Sequence, residues 1–324
     1  MQALVLVGGK GTRLRPLTTD IPKPVLTLVD RPFLSYMIEW LASHGVDDIV
    51  FACGFLPDQL EAVLGDGGDG GPKLSYVVEP EPFGTAGAIK FAEEHLDDRF
   101  FALNGDVLTD LDLTSLMTSH IERGASASLG LYPVEDPTGY GLVDLDDEGH
   151  VLDFHEKPEE AGHTGAGLIN AGTYVIEKSV LASIAPDTNV SIEREVFPSL
   201  VGNGLYGLRL DGYWMDIGLP DRYSEACWDI IEGRVKTEVA HDDQGIFIGK
   251  DCQIDPAATI GPRAVIGDRS VVGPGAEIKE SVLISDCEIG ENAVVTGSIL
   301  SAGVTVTSNS RVGDSVLGKN EVVR

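Results

Sequence analysis

At 324 residues, 43% of them hydrophobic, the chain is long enough for two domains and a sizeable core. Its 52 acidic residues outweigh 23 basic ones, and the resulting net charge of −29 argues against a nucleic-acid partner. No apolar run approaches the ~20 residues that cross a bilayer, and Met1-Gln2 leads into a strand without a secretory pattern, so no membrane partner and a cytoplasmic location are expected.

Ala3-Leu4-Val5-Leu6-Val7 is a continuous apolar run, the pattern of a parallel strand buried on both faces. Gly8-Gly9-Lys10-Gly11-Thr12-Arg13-Leu14-Arg15-Pro16-Leu17-Thr18 follows, then Pro22-Lys23-Pro24. Gly8, Gly9 and Gly11 permit a tight turn whose N–H groups can converge on an anion. Arg13, Arg15 and Lys23 gather positive charge there in an otherwise acidic chain, so a polyphosphate is the expected occupant. Neither the Walker spacing nor a dinucleotide GxGxxG opening a helix is present at this loop.

Residues 33–41 have helical apolar spacing that stops near Gly45. Residues 48–52 read as a buried strand, 58–64 as a short helix, 66–71 as a flexible acidic glycine loop and 74–78 as a strand. Thr85 is expected to cap a helix running to about Leu96. Residues 100–103 form a strand ending in Asn104-Gly105-Asp106. This alternation predicts an α/β, Rossmann-like domain with a mixed, mostly parallel sheet. Ligands gather at the carboxyl ends of such strands, where the glycine loop, Glu79 and Asp106 all fall.

Near residue 245 the pattern changes. Ile248, Ile254, Ile260, Ile266, Val272 and Ile278 recur every six residues, and Gly249, Gly261, Gly267 and Gly273 directly follow four of them. This is the hexapeptide period of a parallel β-helix. It continues through Leu283, Ile289 and Val295 after a one-residue slip. The expected domains are therefore 1–235 and 236–324. The repeat resembles the left-handed β-helix family, in which three hexads make one coil, so Ile248 should stack on Ile266 and Ile254 on Val272. Cys252 and Cys287 would then lie ~10 Å apart, beyond the ~4.4–6.8 Å Cα separation of a disulfide. With Cys53 and Cys227 they have no CxxC spacing and are expected to be reduced. Many acyltransferases share such coils and generally place a histidine base in them, whereas no histidine follows His241 here. Assembly into a homo-oligomer, or regulation, is the expected use of the repeat.

The glycine-loop string resembles the GGxGxRLxPLT…PKP loop of the nucleotide-sugar pyrophosphorylases, and the resemblance extends over essentially the whole chain. It implies transfer of a nucleotidyl group from a nucleoside triphosphate to a sugar-1-phosphate, with release of pyrophosphate. Such a reaction joins two dense anions and needs charge neutralisation more than acid–base help. By this resemblance Leu6, Gly8, Gly9, Gly11, Thr12, Arg13, Glu79, Gly84 and Thr85 bind the nucleotide, and Arg13 and Lys23 act in catalysis. Asp106 and the Asp216 of Gly212-Tyr213-Trp214-Met215-Asp216-Ile217-Gly218 match the metal-binding aspartates. Mg²⁺ needs only one or two carboxylates beside phosphates and water. Gly141, Glu156, Lys157, Asn170 and Gly172 fall on the sugar-phosphate side.

The base is read from Glu79, in Glu79-Pro80-Glu81-Pro82-Phe83-Gly84-Thr85-Ala86-Gly87. Thymidylyl- and uridylyltransferases commonly present glutamine there, which suits a pyrimidine imide. An ionised carboxylate only accepts, matching the paired N–H donors of guanine. These strings look most like mannose-1-phosphate guanylyltransferases, implying GTP, mannose-1-phosphate and GDP-mannose. A thymidylyl- or uridylyltransferase of glucose-1-phosphate is the alternative. A non-catalytic regulatory subunit that binds nucleotide sugars is the alternative of another class, against which the joint presence of Arg13, Lys23, Asp106, Lys157 and Asp216 speaks.

Overall fold

A computed structural model describes residues 1–54, 56–68, 70–155 and 165–324. In chain order the elements are β1 (Gln2–Leu6), β2 (Thr27–Leu28), β3 (Arg31–Pro32), α1 (Phe33–Ser43), β4 (Asp48–Cys53), α2 (Pro57–Leu64), β5 (Lys73–Val78), α3 (Gly84–Phe91), β6 (Arg99–Asn104) and β7 (Val107–Thr109). Then come α4 (Leu113–Arg123), β8 (Ala127–Val134), β9 (Leu142–Leu145), β10 (Val151–His155), β11 (Gly167–Glu177), α5 (Phe197–Leu200), β12 (Leu205–Arg209), β13 (Trp214–Asp216) and α6 (Pro220–Ile231), followed by a ladder of short strands. The chain divides into two compact units. Met1–Gly9 with Met37–Trp214 forms one, and Lys10–Tyr36 with Met215–Arg324 the other.

The first unit is built on a mixed sheet in the order β10-β9-β11-β6-β1-β4-β5, extended by β8 on β11 and β12 on β8. β6, β1, β4 and β5 run parallel, which requires crossover connections, and α1, α2 and α3 lie in them. β11 runs antiparallel to β6 and β8. Helical cover explains the unbroken apolar reading of β1, whose Ala3, Leu4 and Val5 are fully buried. Leu4, Val50, Ala102, Tyr174 and Phe197 belong to the core. α1 stops as expected where Gly45 turns at φ 78°. α4 begins at Asp112, which accepts the Ser115 N–H at 3.0 Å, and ends at Gly124 with φ 59°.

One local expectation fails. α3 starts at Gly84, so Thr85 stands in its first turn, and the helix ends at Phe91 with a 3₁₀ turn, Glu93–His95, beyond it. The carbonyl of Val190 accepts the N–H groups of Ala86 (2.9 Å) and Gly87 (3.3 Å). A distant loop segment thus does the capping that Thr85 was expected to do.

The second unit contains the loop Lys10–Tyr36, α6 and the β-ladder. β2 and β3 close a small hairpin, and the Tyr36 hydroxyl sits 2.9 Å from the Leu28 carbonyl and 2.6 Å from Asp30 Oδ1. Tyr223 of α6, fully buried, donates to the Thr27 carbonyl. The ladder is a three-sided parallel β-helix. One side stacks Ile246–Ile248, Ala264–Ile266, Ser281–Leu283, Ile299–Leu300 and Val316–Leu317. The second stacks Gln253–Ile254, Val271–Val272, Glu288–Ile289, Thr305–Val306 and Val322–Val323, and the third Thr259–Ile260, Glu277–Lys279, Val294–Thr296 and Arg311–Gly313.

Ile248 pairs with Ile266 and Ile254 with Val272, the expected eighteen-residue step. From there the step is seventeen, with Ile266 opposite Leu283 and Ile278 opposite Val295. The slip has a single source. The first coil turns the third corner through Gly261-Pro262-Arg263, and later coils do so through two residues, as in Lys279-Glu280 and Thr296-Gly297. A column of serines stitches that corner. Ser281 Oγ accepts the Ser298 N–H (3.1 Å) and donates to the Lys279 carbonyl (2.7 Å). Ser298 Oγ repeats this with the Ser315 N–H (3.2 Å) and the Thr296 carbonyl (2.7 Å). All four cysteines are free thiols, as expected. Among the described residues, no helix is long and apolar enough to cross a membrane.

Candidate active site

In the first unit the expected nucleotide residues collect at the carboxyl ends of β1, β5 and β6. Gly8 follows β1 so closely against the end of β4 that a Cβ on Gly54 would stand 3.1 Å from the Gly8 carbonyl oxygen. A Cβ on Gly8 would stand 3.4 Å from Glu79 Oε2. Glu79 itself is 9% exposed, and its Oε1 accepts the Phe83 N–H at 3.1 Å. Burial pushes its carboxyl above the ordinary value, and the Phe83 N–H offsets part of that rise. Gly105 binds its N–H to the Leu6 carbonyl (2.9 Å), which draws the turn carrying Asp106 against the end of β1. Gly84 is exposed, whereas Thr85 is turned inward, donating to Glu193 Oε2 (2.7 Å) and accepting the Ile192 N–H (2.8 Å). Glu193, which the sequence did not single out, also receives the Ser191 hydroxyl at 2.8 Å. Only the fold brings it to α3.

Two of the five sugar-side residues, Asn170 and Gly172, lie on β11, which breaks register between Asn170 and Tyr174, and Gly141 joins them by a backbone bond. Asn170 holds that irregularity, accepting the Gly172 N–H (3.0 Å) on Oδ1 and donating from Nδ2 to the Tyr174 hydroxyl (2.8 Å). Its own N–H reaches the Gly141 carbonyl at 2.8 Å. Gly172 has φ 68°, and a Cβ there would stand 2.7 Å from Asn104 Nδ2, so glycine is required on both counts. Trp214 donates to the Ala171 carbonyl (2.9 Å) and stacks on Tyr132 (5.7 Å, 27°), with Tyr140 edge-on (5.4 Å, 77°). No spacing in the chain assigns a role to these aromatics, although Trp214 lies inside the 212–218 motif. Glu156 and Lys157 lie outside the described residues.

In the second unit the charged residues converge. Gly11 turns at φ 59°, its carbonyl accepts the Thr18 hydroxyl (2.7 Å), and Thr12–Leu14 winds into a 3₁₀ turn that presents Arg13 to solvent. Lys23 is only 7% exposed, and its Nζ lies 3.9 Å from Asp216 Oδ1. That separation is beyond direct hydrogen bonding, so the attraction is Coulombic. The same Oδ1 accepts the Gly218 N–H at 2.8 Å. A Cβ on Gly218 would stand 2.7 Å from Arg13 Nη2 and 2.9 Å from Asp216 Oδ1. Arg13, Lys23 and Asp216 therefore meet around a glycine that no other residue could replace without displacing them. Two cations beside one carboxylate form a positive centre in a strongly acidic chain. Hard oxygen donors such as Asp106 and Asp216 suit a small divalent cation.

Residues 2–233 match the model of the nucleotidyl transferase family. The chain belongs to that family. Residues 243–324 of this nucleotidyl transferase match the GMPPB C-terminal domain. It is 39% identical over 347 residues to a mannose-1-phosphate guanyltransferase of Candida albicans, covering 99% of this chain and 93% of the relative. Against the mannose-1-phosphate guanylyltransferase of Mycobacterium tuberculosis it is 34% identical over 300 residues, covering 91% and 83%. Among solved structures it resembles HddC from Yersinia pseudotuberculosis complexed with GMP-PN, with 31% identity and a TM-score of 0.61. That match covers 71% of this chain and 99% of HddC.

Proposed function

We propose that this nucleotidyl transferase moves the guanylyl group of GTP onto mannose-1-phosphate, giving GDP-mannose and pyrophosphate. The observation that carries the chemistry is the convergence of Arg13 and Lys23 on Asp216 around Gly218. Near full-length kinship with proteins named for that reaction supports the choice of substrates. A phosphate oxygen of the sugar phosphate attacks the α-phosphorus of the nucleotide, and the bond to the bridging oxygen of pyrophosphate breaks, its electrons leaving with pyrophosphate. The N–H groups of Gly8, Gly9 and Gly11 hold phosphate oxygens, and Arg13 and Lys23 neutralise the charge that builds on the leaving group. Glu79, ionised, accepts from guanine. Gly141 and Gly172, with Asn170 fixing the backbone between them, and with Glu156 and Lys157, receive the sugar phosphate.

Asp106 and Asp216 are the residues proposed to hold Mg²⁺, which when bound would neutralise phosphate oxygens. Self-association is proposed to run through the open first coil, where Ile248 is 50% exposed and Ile254 and Ile260 are partly so. The functional test is pyrophosphate release with Mg²⁺ across a matrix of nucleotides and sugar-1-phosphates. GTP with mannose-1-phosphate should give the highest kcat/KM. Preference for dTTP or UTP with glucose-1-phosphate would replace this reading, and binding of GDP-mannose without turnover of any pair would mark a regulatory subunit.

A further inference from the structure

The β-helix presents one face unlike the other two. Residues at the middle of a three-residue strand point away from the coil's interior when their neighbours point in. On two sides the outward positions are Gln253, Val271, Glu288, Thr305 and Val322, and Thr259, Glu277, Val294 and Arg311, exposed except for the half-buried Thr305 and Val294. On the remaining side the central three are Val265, Val282 and Ile299, only 1%, 1% and 3% exposed, between a half-buried Phe247 and Val316. The same compact unit also contains Lys10–Tyr36 and residues 215–231 with the segment after them.

Two contacts tie these segments to the coil. At the second coil Arg263 Nε bonds Glu232 Oε1 (2.8 Å) at the end of α6. At the fifth coil Gly318 is buried, and a Cβ there would stand 2.8 Å from Glu321 Oε1, 3.2 Å from Pro16 Cβ and 3.6 Å from Pro16 Cγ. Gly318 has no positive φ, so its backbone does not require glycine. The space does. Its N–H is held by Glu321 Oε1 at 2.9 Å, which fixes the strand end at this height.

Pro16 lies within a chain of turns. Leu14 N–H binds the Gly11 carbonyl (3.0 Å), Leu17 N–H the Leu14 carbonyl (3.0 Å) and Thr19 N–H the Pro16 carbonyl (3.2 Å). Leu14 and Leu17 are buried, so a push on Pro16 passes into the turn that carries Arg13. We infer that Gly318 is a positioning residue for the reaction. By lacking a side chain it lets the last coil seat against Pro16, and the seated coil sets the height of Arg13. The β-helix is thereby part of the catalytic apparatus, in addition to any role in assembly. This rests on reading the Lys10–Tyr36 loop as the phosphate loop.

The test substitutes Gly318→Val in the full chain, with Gly318→Ala as the milder variant. Gly313→Val is the control, because a Cβ at exposed Gly313 meets only Thr296 Oγ1, at 3.5 Å. The expected result for Gly318→Val is a kcat lowered by about ten- to a hundred-fold, a KM for sugar phosphate within about two-fold of the parent, and unchanged thermal melting. Gly318→Ala should lie between, and Gly313→Val should match the parent. Hydrogen exchange without substrate should show faster exchange at Leu14, Leu17 and Thr19 in Gly318→Val, with α4 unchanged. Parental exchange at those amides overturns the inference. So does a Gly318→Val that melts early while Gly318→Ala matches the parent in both assays. Faster loop exchange in a protein whose parent turns over no substrate pair would sustain the brace and sink the functional reading instead.

Discussion

Glu79 shows how one carboxylate can be both a structural and a recognition group. Its Oε1 closes the turn to Phe83, and its Oε2 lies near Gly8. If the ionised form accepts from guanine, Glu79→Gln should lower kcat/KM for GTP by about ten- to a hundred-fold, from loss of a charge-assisted bond worth ~1.5–3 kcal/mol. The same change should spare dTTP, and an equal loss for both nucleotides would leave Glu79 only its turn-closing role. The pH dependence follows from burial. Because the folded-state carboxyl titrates above its ordinary value, kcat/KM for GTP should fall on the acid side at a higher pH than an exposed glutamate would give, and Glu79→Gln should lack that limb. The sign for stability is opposite: the folded chain holds this proton more tightly, so the group's favourable contribution is full at low pH and fades as pH rises through the raised value. A pH–rate profile of both proteins decides the first point. On the metal assignment, Asp106→Asn should keep the parental melting curve and lose at least about a hundred-fold in kcat, which is ~2.7 kcal/mol in the barrier. Near-parental Mg²⁺-dependent turnover would remove Asp106 from the site.

At the scale of elements, the serine column shows why the hexads tolerate polar residues inside a corner. Ser298 is 1% exposed, and its hydroxyl answers both the Ser315 N–H and the Thr296 carbonyl. Ser298→Ala should cost about 1–3 kcal/mol, the penalty of an unanswered buried N–H, read as a shifted denaturation midpoint with an unchanged slope. Patterns with a strong local cause were legible in the sequence. The apolar run of β1, the stop of α1 at Gly45 and the stacking of Ile248 on Ile266 each depend on a few adjacent residues or on a repeat. The phase slip was visible too, but its cause, the extra residue in Gly261-Pro262-Arg263, needs the corner to be seen. What stayed hidden depends on tertiary partners. Thr85 reads as a cap because threonine caps helices, yet Val190, about a hundred residues later, supplies the acceptor. Asn170 reads as a ligand, and its side chain proves occupied in holding β11 out of register. Trp214, Tyr132 and Tyr140 are far apart in sequence and carry no spacing that would group them.

For the whole molecule, the grouping of Lys10–Tyr36 with Met215–Arg324 matters more than the cut between repeat and non-repeat sequence. Arg13, Lys23 and Asp216 belong to the unit that contains the β-helix, while Gly8, Glu79 and Asp106 belong to the sheet. Light scattering should return a multiple of the 34.4 kDa chain mass if the open first coil mediates self-association. Ile248→Lys should then shift the mass toward a single chain, because a charge at a buried apolar contact opposes it. A parental protein at single-chain mass removes the assembly proposal and leaves the brace on the loop untouched.

The contact between Pro16 and Gly318 also fixes an order of events during synthesis. The segment that carries Pro16 leaves the ribosome about 300 residues before its supporting wall, a closure that carries a large entropic cost and waits on long-range folding. A nascent chain can assemble β1, β4 and β6 while this loop still lacks its last neighbour. Fragments that end before the fifth coil would carry the Lys10–Tyr36 loop without the surface that seats it at Pro16. Competence to turn over GTP should therefore wait for the fifth coil, which makes the seating of that coil a checkpoint on the loop.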